Sequence, residues 1–587
     1  MKKLGATLLS LALVLGLAAV SSAETYKAPG ALEAKVGESI LTIDELSNFN
    51  WDSRREAQVT TAGNSYAEME AYLCPNEKII AQEAPCDFYK SGNGFFGSNM
   101  LPTCEGQEDF CIESLSFKVG GQVLTGRYLG GAGGQAFDAI PEFGIQSGGQ
   151  ISLFEVAGAT NSAGVSTYGV AVRSRQDFNP REKRFETISM DLAVFPYSEQ
   201  RGSFTPNYRF EFVDANGKNK VGLKGGSDCM WPDTGVCRYL ADFVGEPEIS
   251  LSVRSSTELA GWFRGRLTEP NISVEPFSKL SERVTITGKP VTVPRFHAVA
   301  TSANTPASVR ALFPVGSGGS GKELFEGSSS KGAFSTDARQ AYTLLEGMRA
   351  AVNDTAAGLS TMWSLESIGL GSNPCFAKQD SGLIGIVTTN ATSYDGTVPG
   401  FSGGQLTYKV AGLHYAPGGE KLNLGTYDLV MRSDTARCLY GFSSAPVQAS
   451  ISVLTEKGEP VVATTQVSEK NGWLKLAAYG FTFSEKNIRV KLTQQQSSNL
   501  TKFTGRSIIL TAKQKAEVRS SLTKASGNSK FICTGTFVKA SDRTLALQRA
   551  RAACNYAKSL NKNFSFFAQA KVTKAASFDG RVMVVSK

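Results

Sequence analysis

Apolar and polar residues alternate along much of the chain. The runs 188–194 and 208–212 place an apolar residue at every second position, and the second run leads to Asn216-Gly217. Period-two alternation is typical of antiparallel strands with one buried face, and Asn-Gly favours a hairpin turn. Similar patterns recur from about residue 24 to 300 and predict an N-terminal β-rich region. Its cysteine-rich part from Trp51 to Cys111 is expected to be a loop-rich lobe held by disulfides.

A second β region is predicted after a segment rich in Gly and Ser at 301–334, which is interpreted as a linker. Ser335 can cap a helix, and apolar residues recur at helical spacing from Ala338 to Val352. Period-two alternation then returns and predicts strands within a domain at 335–493. The residues that carry this alternation are Leu406, Tyr408, Val410, Tyr427, Leu429, Met431, Ile451, Val453, Ile488, Val490 and Leu492.

The pattern changes after 494–500, which is interpreted as a second linker. From 501 to 587 strand and helix signals alternate and predict a small βαβαββ domain. The predicted strands and helices are 508–510, 512–524, 531–537, 542–560, 564–572 and 582–585 in chain order. The predicted fold class is therefore mainly β, with two sandwich-like antiparallel β regions followed by a small C-terminal α/β sandwich.

The N-terminus predicts export. Residues 1–23 combine a charged start, an apolar stretch and small residues before a cleavage point after Ala23, as in secretory signal peptides. No later run approaches the length of a membrane-spanning helix, so no transmembrane segment is expected in the mature chain. We therefore expect a secreted protein at the cell surface or in the cell wall.

The cysteines support this interpretation. Ten cysteines without any CxxC motif, in an exported chain, favour disulfides over zinc or redox chemistry. Their order suggests five short-range couples, although order alone does not prove connectivity. The couples are Cys74 with Cys86, Cys104 with Cys111, Cys229 with Cys237, Cys375 with Cys438, and Cys533 with Cys554.

Charge divides the chain into two parts. Residues 501–587 hold 17 Lys or Arg and 3 Asp or Glu, a net charge of +14, whereas residues 24–500 carry −8. A basic segment of this kind is expected to contact a polyanion. Anionic cell-wall polymers are favoured over nucleic acid, because export removes the usual nucleic-acid partners. The candidate binding residues on the two predicted helices are Lys513, Arg519, Arg543, Arg549, Arg551 and Lys558.

Motifs for catalysis are weak. His297 and His414, the only histidines, are expected to be structural. The G-x-S-x-G string at 400–404 lacks the strand–helix context of a hydrolase nucleophile, and 316–322 resembles a phosphate loop only until Glu323. The acidic run at 105–113 suggests a solvated surface more than a calcium site. No cofactor or metal is expected.

Two alternatives remain open. The five tryptophans are expected to anchor cores, although some of them could form a sugar-stacking platform. A carbohydrate-active enzyme needs only a pair of carboxylates at a set separation, which no sequence pattern reveals. The leading interpretation is a binding or structural protein and not an enzyme.

Two resemblances refine this picture. The order βαβαββ, with Thr534-Gly535-Thr536 on the second strand and 545–550 on the second helix, resembles the outer-membrane-protein-A-like family. The resemblance implies contact with peptidoglycan, and Arg549 matches the family's binding arginine. Val538 stands where the family has Asp, so charge is expected to dominate over specific capture.

The second resemblance covers residues 360–587. The strings at 382–390, 431–434 and 437–442 are similar to the C-terminal region of large secreted surface proteins of high-GC Gram-positive bacteria. It implies a surface location more than any activity.

Overall fold

The computed structural model describes residues 34–586 except for a set of short segments. Those segments are 45–52, 61–68, 90–93, 180, 206–207, 225–230, 258, 314–326, 334–337, 370–373, 378–381, 403–404, 441–446, 456–459, 462–463, 484–485, 495, 524–529 and 574–578. The predicted signal peptide at 1–23, Trp51, Cys229 and the proposed cap Ser335 lie outside the described residues.

Strands dominate the part of the chain before residue 495, which we call the body. Its strands are β1 (Glu38–Asp44), β2 (Arg54–Thr60), β3 (Met69–Leu73), β4 (Gly94–Met100), β5 (Cys111–Val119), β6 (Gln122–Thr125), β7 (Arg127–Ala132), β8 (Ile151–Glu155), β9 (Thr167–Asn179), β10 (Arg184–Arg201), β11 (Tyr208–Val213), β12 (Asn219–Lys224), β13 (Trp231–Asp233), β14 (Val236–Leu240), β15 (Glu248–Ser256), β16 (Gly261–Arg266), β17 (Thr268–Pro276), β18 (Ser281–Lys289), β19 (Val291–Thr301), β20 (Gly327–Gly332), β21 (Gly358–Ile368), β22 (Leu383–Thr389), β23 (Ser393–Tyr394), β24 (Gly400–Ser402), β25 (Gln405–Ala411), β26 (Leu424–Arg432), β27 (Val447–Thr455), β28 (Pro460–Val461), β29 (Thr464–Lys470), β30 (Trp473–Thr482) and β31 (Lys486–Gln494). The helices of the body are α1 (Asn76–Ala81), α2 (Ala307–Arg310), α3 (Ala338–Met348), α4 (Pro374–Ala377) and α5 (Ser433–Tyr440). The protein is mainly β, as the alternation predicted.

The boundary predicted at 301–334 does not separate two independent sheets. Strand β21 pairs with β10, β16 and β19, all of which precede the boundary, and β22 pairs in parallel with β16. Strand β20 lies inside the predicted linker and pairs in parallel with β1. The sequence Gly327–Gly332 has low strand propensity, but backbone pairing depends on N–H and C=O groups rather than on side chains. The body is therefore built around one large mixed sheet.

Strand β10 shows what this arrangement does to the predicted alternation. Met190, Leu192 and Val194 join the largest core, whereas Ala193 and Phe195 on the opposite face join a smaller one. The prediction of a single buried face is therefore wrong here, because β10 is paired on both edges and covered on both faces. The predicted hairpin is confirmed, since β11 and β12 pair antiparallel around a turn at Asn216-Gly217.

The later predictions are mostly confirmed. Helix α3 buries Ala341, Tyr342, Leu345 and Met348 of the predicted apolar stripe, and Val352 beyond its end is partly buried. The alternating residues of β25 and β26 are buried in the second large core. Strands β27 and β31 also form, and they pair with each other.

The C-terminal unit, residues 496–586, has its own sheet and core. Its elements are β32 (Gln496–Asn499), α6 (Ala512–Thr523), β33 (Lys530–Phe537), α7 (Arg543–Leu560), β34 (Ser565–Val572) and β35 (Val582–Ser586). The strand order is β32-β35-β33-β34, with β33 and β34 parallel. Both helices share one apolar core with this sheet.

Two predictions for this unit are corrected. Residues 508–510 do not form a strand, and the first strand of the βαβαββ order is β32, which lies inside the predicted linker 494–500. Leu500 is fully buried in the core of the unit. Gln496–Asn499 is not predicted as a strand because all four of its residues are polar. It forms an edge strand because its backbone pairs with the apolar strand β35.

Four predicted disulfides are present: Cys74–Cys86, Cys104–Cys111, Cys375–Cys438 and Cys533–Cys554. Cys237 is also disulfide-bonded, whereas the pairing predicted for Cys229 falls outside the described residues. Among the described residues, no helix is long and apolar enough to cross a membrane.

Candidate functional site

The candidate site begins with the local structure of α6. Thr511 and Gln514 form a capping box, because the Gln514 N–H donates to Thr511 Oγ1 at 3.2 Å and the Thr511 N–H donates to Gln514 Oε1 at 2.8 Å. Val518 points into the core, and Lys513 and Arg519 are exposed. The cap and the apolar stripe thus orient the basic residues of α6 toward solvent.

Helix α7 presents a second basic surface. Arg543, Arg551 and Lys558 are exposed, whereas small residues cover the side of the helix that faces the sheet. A Cβ atom added to Gly535 of β33 would lie 1.9 Å from the Ala546 carbonyl oxygen of α7. The absence of a side chain at this position therefore allows strand and helix to approach closely.

The two helices meet at Tyr556. Arg519 donates from Nη1 to Tyr556 Oη at 2.6 Å, and Lys515 Nζ lies 5.6 Å from the centre of the Tyr556 ring. This contact holds two cations of α6 beside α7. We call the six exposed residues of this surface the cationic helix layer. They are Lys513, Lys515, Arg519, Arg543, Arg551 and Lys558.

Arg549, the sixth residue predicted to bind, lies apart from this surface. It is only 4% exposed, and it donates from Nε to the Ser507 carbonyl at 2.9 Å and from Nη2 to the Gly505 carbonyl. Its guanidinium also lies 5.1 Å from the centre of the Phe503 ring. Burial lowers the pKa of Arg549. The structure therefore gives Arg549 the contacts of a residue that holds the 505–507 loop.

Two carboxylates lie near Arg549. Asp542 and Asp579 both act electrostatically on it and raise its pKa, against the effect of burial. Asp579 Oδ1 also accepts the backbone N–H of Val538 at 3.0 Å. The charge of Arg549 is thus partly balanced by two carboxylates.

Exposed cations outnumber acids throughout the C-terminal unit. Glu517 is bound by Thr501 through both its backbone N–H and its hydroxyl, so this acid, like Asp579, has a local partner. Twelve basic residues of the unit are exposed: Lys502, Arg506, Lys513, Lys515, Arg519, Lys530, Lys539, Arg543, Arg551, Lys558, Lys562 and Lys571. This arrangement can attract an extended anion without a catalytic group.

A row of charged residues in the body, of which Asp191 and Arg264 are buried, was not detected from the sequence. Arg173, Asp191, Glu366 and Arg264 are neighbours in register on β9, β10, β21 and β16. Arg173 Nε donates to Asp191 at 2.9 Å, and Arg264 Nη2 donates to Glu366 at 2.9 Å. Burial raises the pKa of both carboxyls, and the arginines oppose this effect. Asp191 is buried, Glu366 is partly buried, and both acids are paired with arginines, which is typical of a structural ion-pair network.

Asp428 of β26 is a second buried carboxylate. It accepts hydrogen bonds from Tyr479 Oη at 2.6 Å, from Thr268 Oγ1 at 3.0 Å and from the Glu269 N–H at 3.4 Å. Burial raises the pKa of Asp428 to about 6 although these hydrogen bonds lower it. No sequence pattern distinguishes this residue from a surface aspartate.

The remaining candidate residues from the sequence analysis lie in positions that favour a structural role over a functional one. Gly400–Ser402 forms strand β24, which pairs antiparallel with β25, so a strand and not a helix follows it and the context of a nucleophile elbow is absent at these residues. Glu113 is bound by Arg283 and Arg254, and hydrogen bonds from Arg283 lower its pKa to about 2. Trp262 and Trp363 are buried in the cores.

Comparison with protein-family models, with curated proteins and with solved structures finds no match for this chain. The two resemblances stated from the sequence therefore remain predictions.

Proposed function

We propose that the protein is a secreted, envelope-associated binding protein whose C-terminal unit holds anionic cell-wall polymers through the cationic helix layer. The main observation in support is that five of the six residues predicted to bind are exposed on two adjacent helices, and that Lys515 is exposed beside them. Two of the three acids in the unit are occupied by local hydrogen bonds.

The expected mechanism is multivalent charge attraction. Each exposed ion pair contributes at most about 1 kcal/mol, so affinity depends on the number of cations that contact one polymer. Arg549 contributes indirectly, because it holds the loop at 505–507 and has little exposed surface. A phosphate-rich wall polymer supplies the repeated charges that such a surface requires.

The proposal does not include catalysis. A glycosidase needs two carboxylates on either side of the bond to be cleaved. Asp191 is buried and Glu366 is partly buried, and both are paired with arginines, which favours a structural role for both residues.

The test uses the full-length protein, purified cell walls and poly(glycerol phosphate) in a sedimentation assay. The binding variant changes Lys515, Arg519, Arg551 and Lys558 to Gln. The matched control removes the same number of charges from exposed lysines of the body, by changing Lys118, Lys183, Lys279 and Lys421 to Gln.

We expect the binding variant to lose at least about 10-fold in affinity and the control to change less than about 2-fold. Raising the salt concentration from 0.1 to 1 M should also release the wild-type protein, since the Debye length falls from about 10 to about 3 Å. Equal binding by both variants would contradict the proposal.

A further inference from the structure

A cleft of about 400 Å³ opens in the body where α5 begins. It lies beside the turn between β29 and β30, and its lining includes Arg432, Ser433, Arg437 and Trp473. None of these residues belongs to the cationic helix layer.

Local structure fixes the shape of this cleft. The turn uses Asn471 and Gly472, which both have positive φ angles, of 51° and 79°. The Ser433 N–H, at the first position of α5, donates to the Gly472 carbonyl at 2.8 Å. The disulfide Cys375–Cys438 attaches α5 to α4. The start of the helix is thereby held against the hairpin.

Some donor groups at the cleft have no hydrogen-bond partner among the residues that the structure describes. Ser433 is 3% exposed, and its buried hydroxyl has no hydrogen-bond partner among the described residues. Arg432 uses Nε to donate to the Leu383 carbonyl at 2.8 Å, while its two terminal nitrogens make no hydrogen bond within the described part of the chain. Arg437 donates from Nη2 to Glu469, and its buried Nε is also unpartnered there. Buried donors of this kind are rare in folded proteins unless a ligand or solvent satisfies them.

The other charged groups around the cleft determine the charge of the ligand that it can bind. The Arg432 guanidinium lies 5.5 Å from the centre of the Trp473 ring, which fixes its position. The carboxylate of Glu469 is engaged by Arg437, and Asp434 Oδ1 accepts the Thr435 N–H at 2.8 Å. Glu282 acts electrostatically on Arg432 from β18. The Ser433 and Thr435 N–H groups already have acceptors, so the first turn of α5 contributes mainly the positive end of the helix dipole.

We propose that this cleft binds an oxyanion, either a free phosphate or sulfate or the carboxylate of an acidic sugar, through Arg432, Ser433 Oγ, Arg437 and the first turn of α5. The guanidinium of Arg432 supplies charge-assisted hydrogen bonds. The Ser433 hydroxyl supplies a neutral donor at the base of the helix. This site is separate from the polymer-binding surface and does not depend on it.

The experiment is calorimetric titration of the full-length protein with sodium phosphate, sodium sulfate and glucuronate at constant ionic strength. The same titrations are repeated in the variant that lacks Lys515, Arg519, Arg551 and Lys558, so that binding to the C-terminal unit is removed. The cleft variants are Arg432→Gln and Ser433→Ala. Thr435→Val is the matched control, because Thr435 also has a buried, unpartnered hydroxyl on α5 but does not line the cleft.

We expect Arg432→Gln to weaken binding at least about 10-fold and Ser433→Ala about 2- to 10-fold, with no change for Thr435→Val. Asp434→Asn should tighten binding, because it removes a negative charge from the cleft. If glucuronate binds more tightly than phosphate and sulfate, the natural ligand of the cleft is an acidic sugar. If phosphate or sulfate binds more tightly than glucuronate, the natural ligand is the free inorganic anion. Absence of binding by all three anions, or binding unaffected by both cleft variants, would overturn the proposal.

Discussion

At the residue scale, Arg549 and Arg551 lie two positions apart on α7 and have opposite surroundings. Arg549 is buried against backbone carbonyls of the 505–507 loop, and Arg551 is exposed. The helical period turns residues at this separation to different sides of the helix. Their contributions to stability and to binding should therefore differ.

We predict that Arg549→Ala lowers the free energy of unfolding by about 1.5–3 kcal/mol, because it removes the hydrogen bonds that a charged guanidinium donates to the Ser507 and Gly505 carbonyls. Arg551→Ala should change it by less than about 0.5 kcal/mol. Urea unfolding of the two variants provides the measurement. An unchanged stability for Arg549→Ala would show that its hydrogen bonds to the loop do not contribute.

The buried carboxyl of Asp428 should make the free energy of unfolding depend on pH. Its pKa in the folded protein is about 6, above the ordinary value for aspartate, so folding favours the protonated form. The stabilisation is therefore present below about pH 4 and is lost as the pH rises through 6. By linkage it amounts to at most about 3 kcal/mol.

The Asp428→Asn variant should remove this component of the pH dependence. Its amide can accept from Thr268 and donate to Tyr479, so the hydrogen bonds are retained. Unfolding free energies measured from pH 4 to 7 should differ between wild type and variant by an amount that grows with pH. The exposed control Glu420→Gln should follow the wild-type curve, and identical curves for Asp428→Asn and wild type would exclude this role.

At the element scale, the packing of α7 on β33 depends on Gly535. A methyl group here would overlap the Ala546 carbonyl, and a backbone atom cannot move without moving the helix. We predict that Gly535→Ala destabilises the protein by about 3 kcal/mol or more. Gly369→Ala is the matched control, since no atom lies within 4 Å of a Cβ added there. Thermal unfolding monitored by circular dichroism would detect the difference, and equal stability of the two variants would argue against close packing.

Strand β32 is the second element whose role can be tested. It pairs with β35 at the edge of the C-terminal sheet, and Leu500 follows it into the core. A segment that begins at residue 495 should unfold cooperatively, whereas one that begins at 501 should not, because it lacks this strand and Leu500. Urea titration of both segments followed by circular dichroism is the measurement. Cooperative unfolding of the shorter segment would show that β32 is dispensable.

At the scale of the whole molecule, the mixed sheet joins sequence regions that are far apart. Strands β10, β16 and β19 take their partner β21 from beyond residue 335. We predict that a chain ending at residue 300 does not fold cooperatively, because these strands keep unpaired edges and an uncovered core. A chain ending at 494 should fold, and urea unfolding monitored by tryptophan fluorescence would separate the two. A cooperative transition in the shorter chain would restore the predicted domain boundary.

The sequence by itself determined the elements that have a regular pattern of apolar side chains or of cysteines. Alternation located β25 and β26, helical spacing located α3, and cysteine order suggested four pairs that the structure contains. Charge counting also identified the basic C-terminal unit. These features are local in the chain, so composition and period are sufficient to predict them.

Only the tertiary structure decided features that depend on pairing and burial between distant segments. The polar strands β20 and β32 form because their backbones pair with neighbours, which side-chain patterns do not report. The sequence placed Arg549 and Arg551 together among the binding residues, and only the fold shows that Arg549 is buried against the 505–507 loop while Arg551 is exposed. The donors at the cleft lie close together in the sequence, at 432–437, but only the fold places Trp473 and the turn between β29 and β30 beside them and so encloses a cleft. Sequence distance does not report this contact, because it depends on how the strands pair.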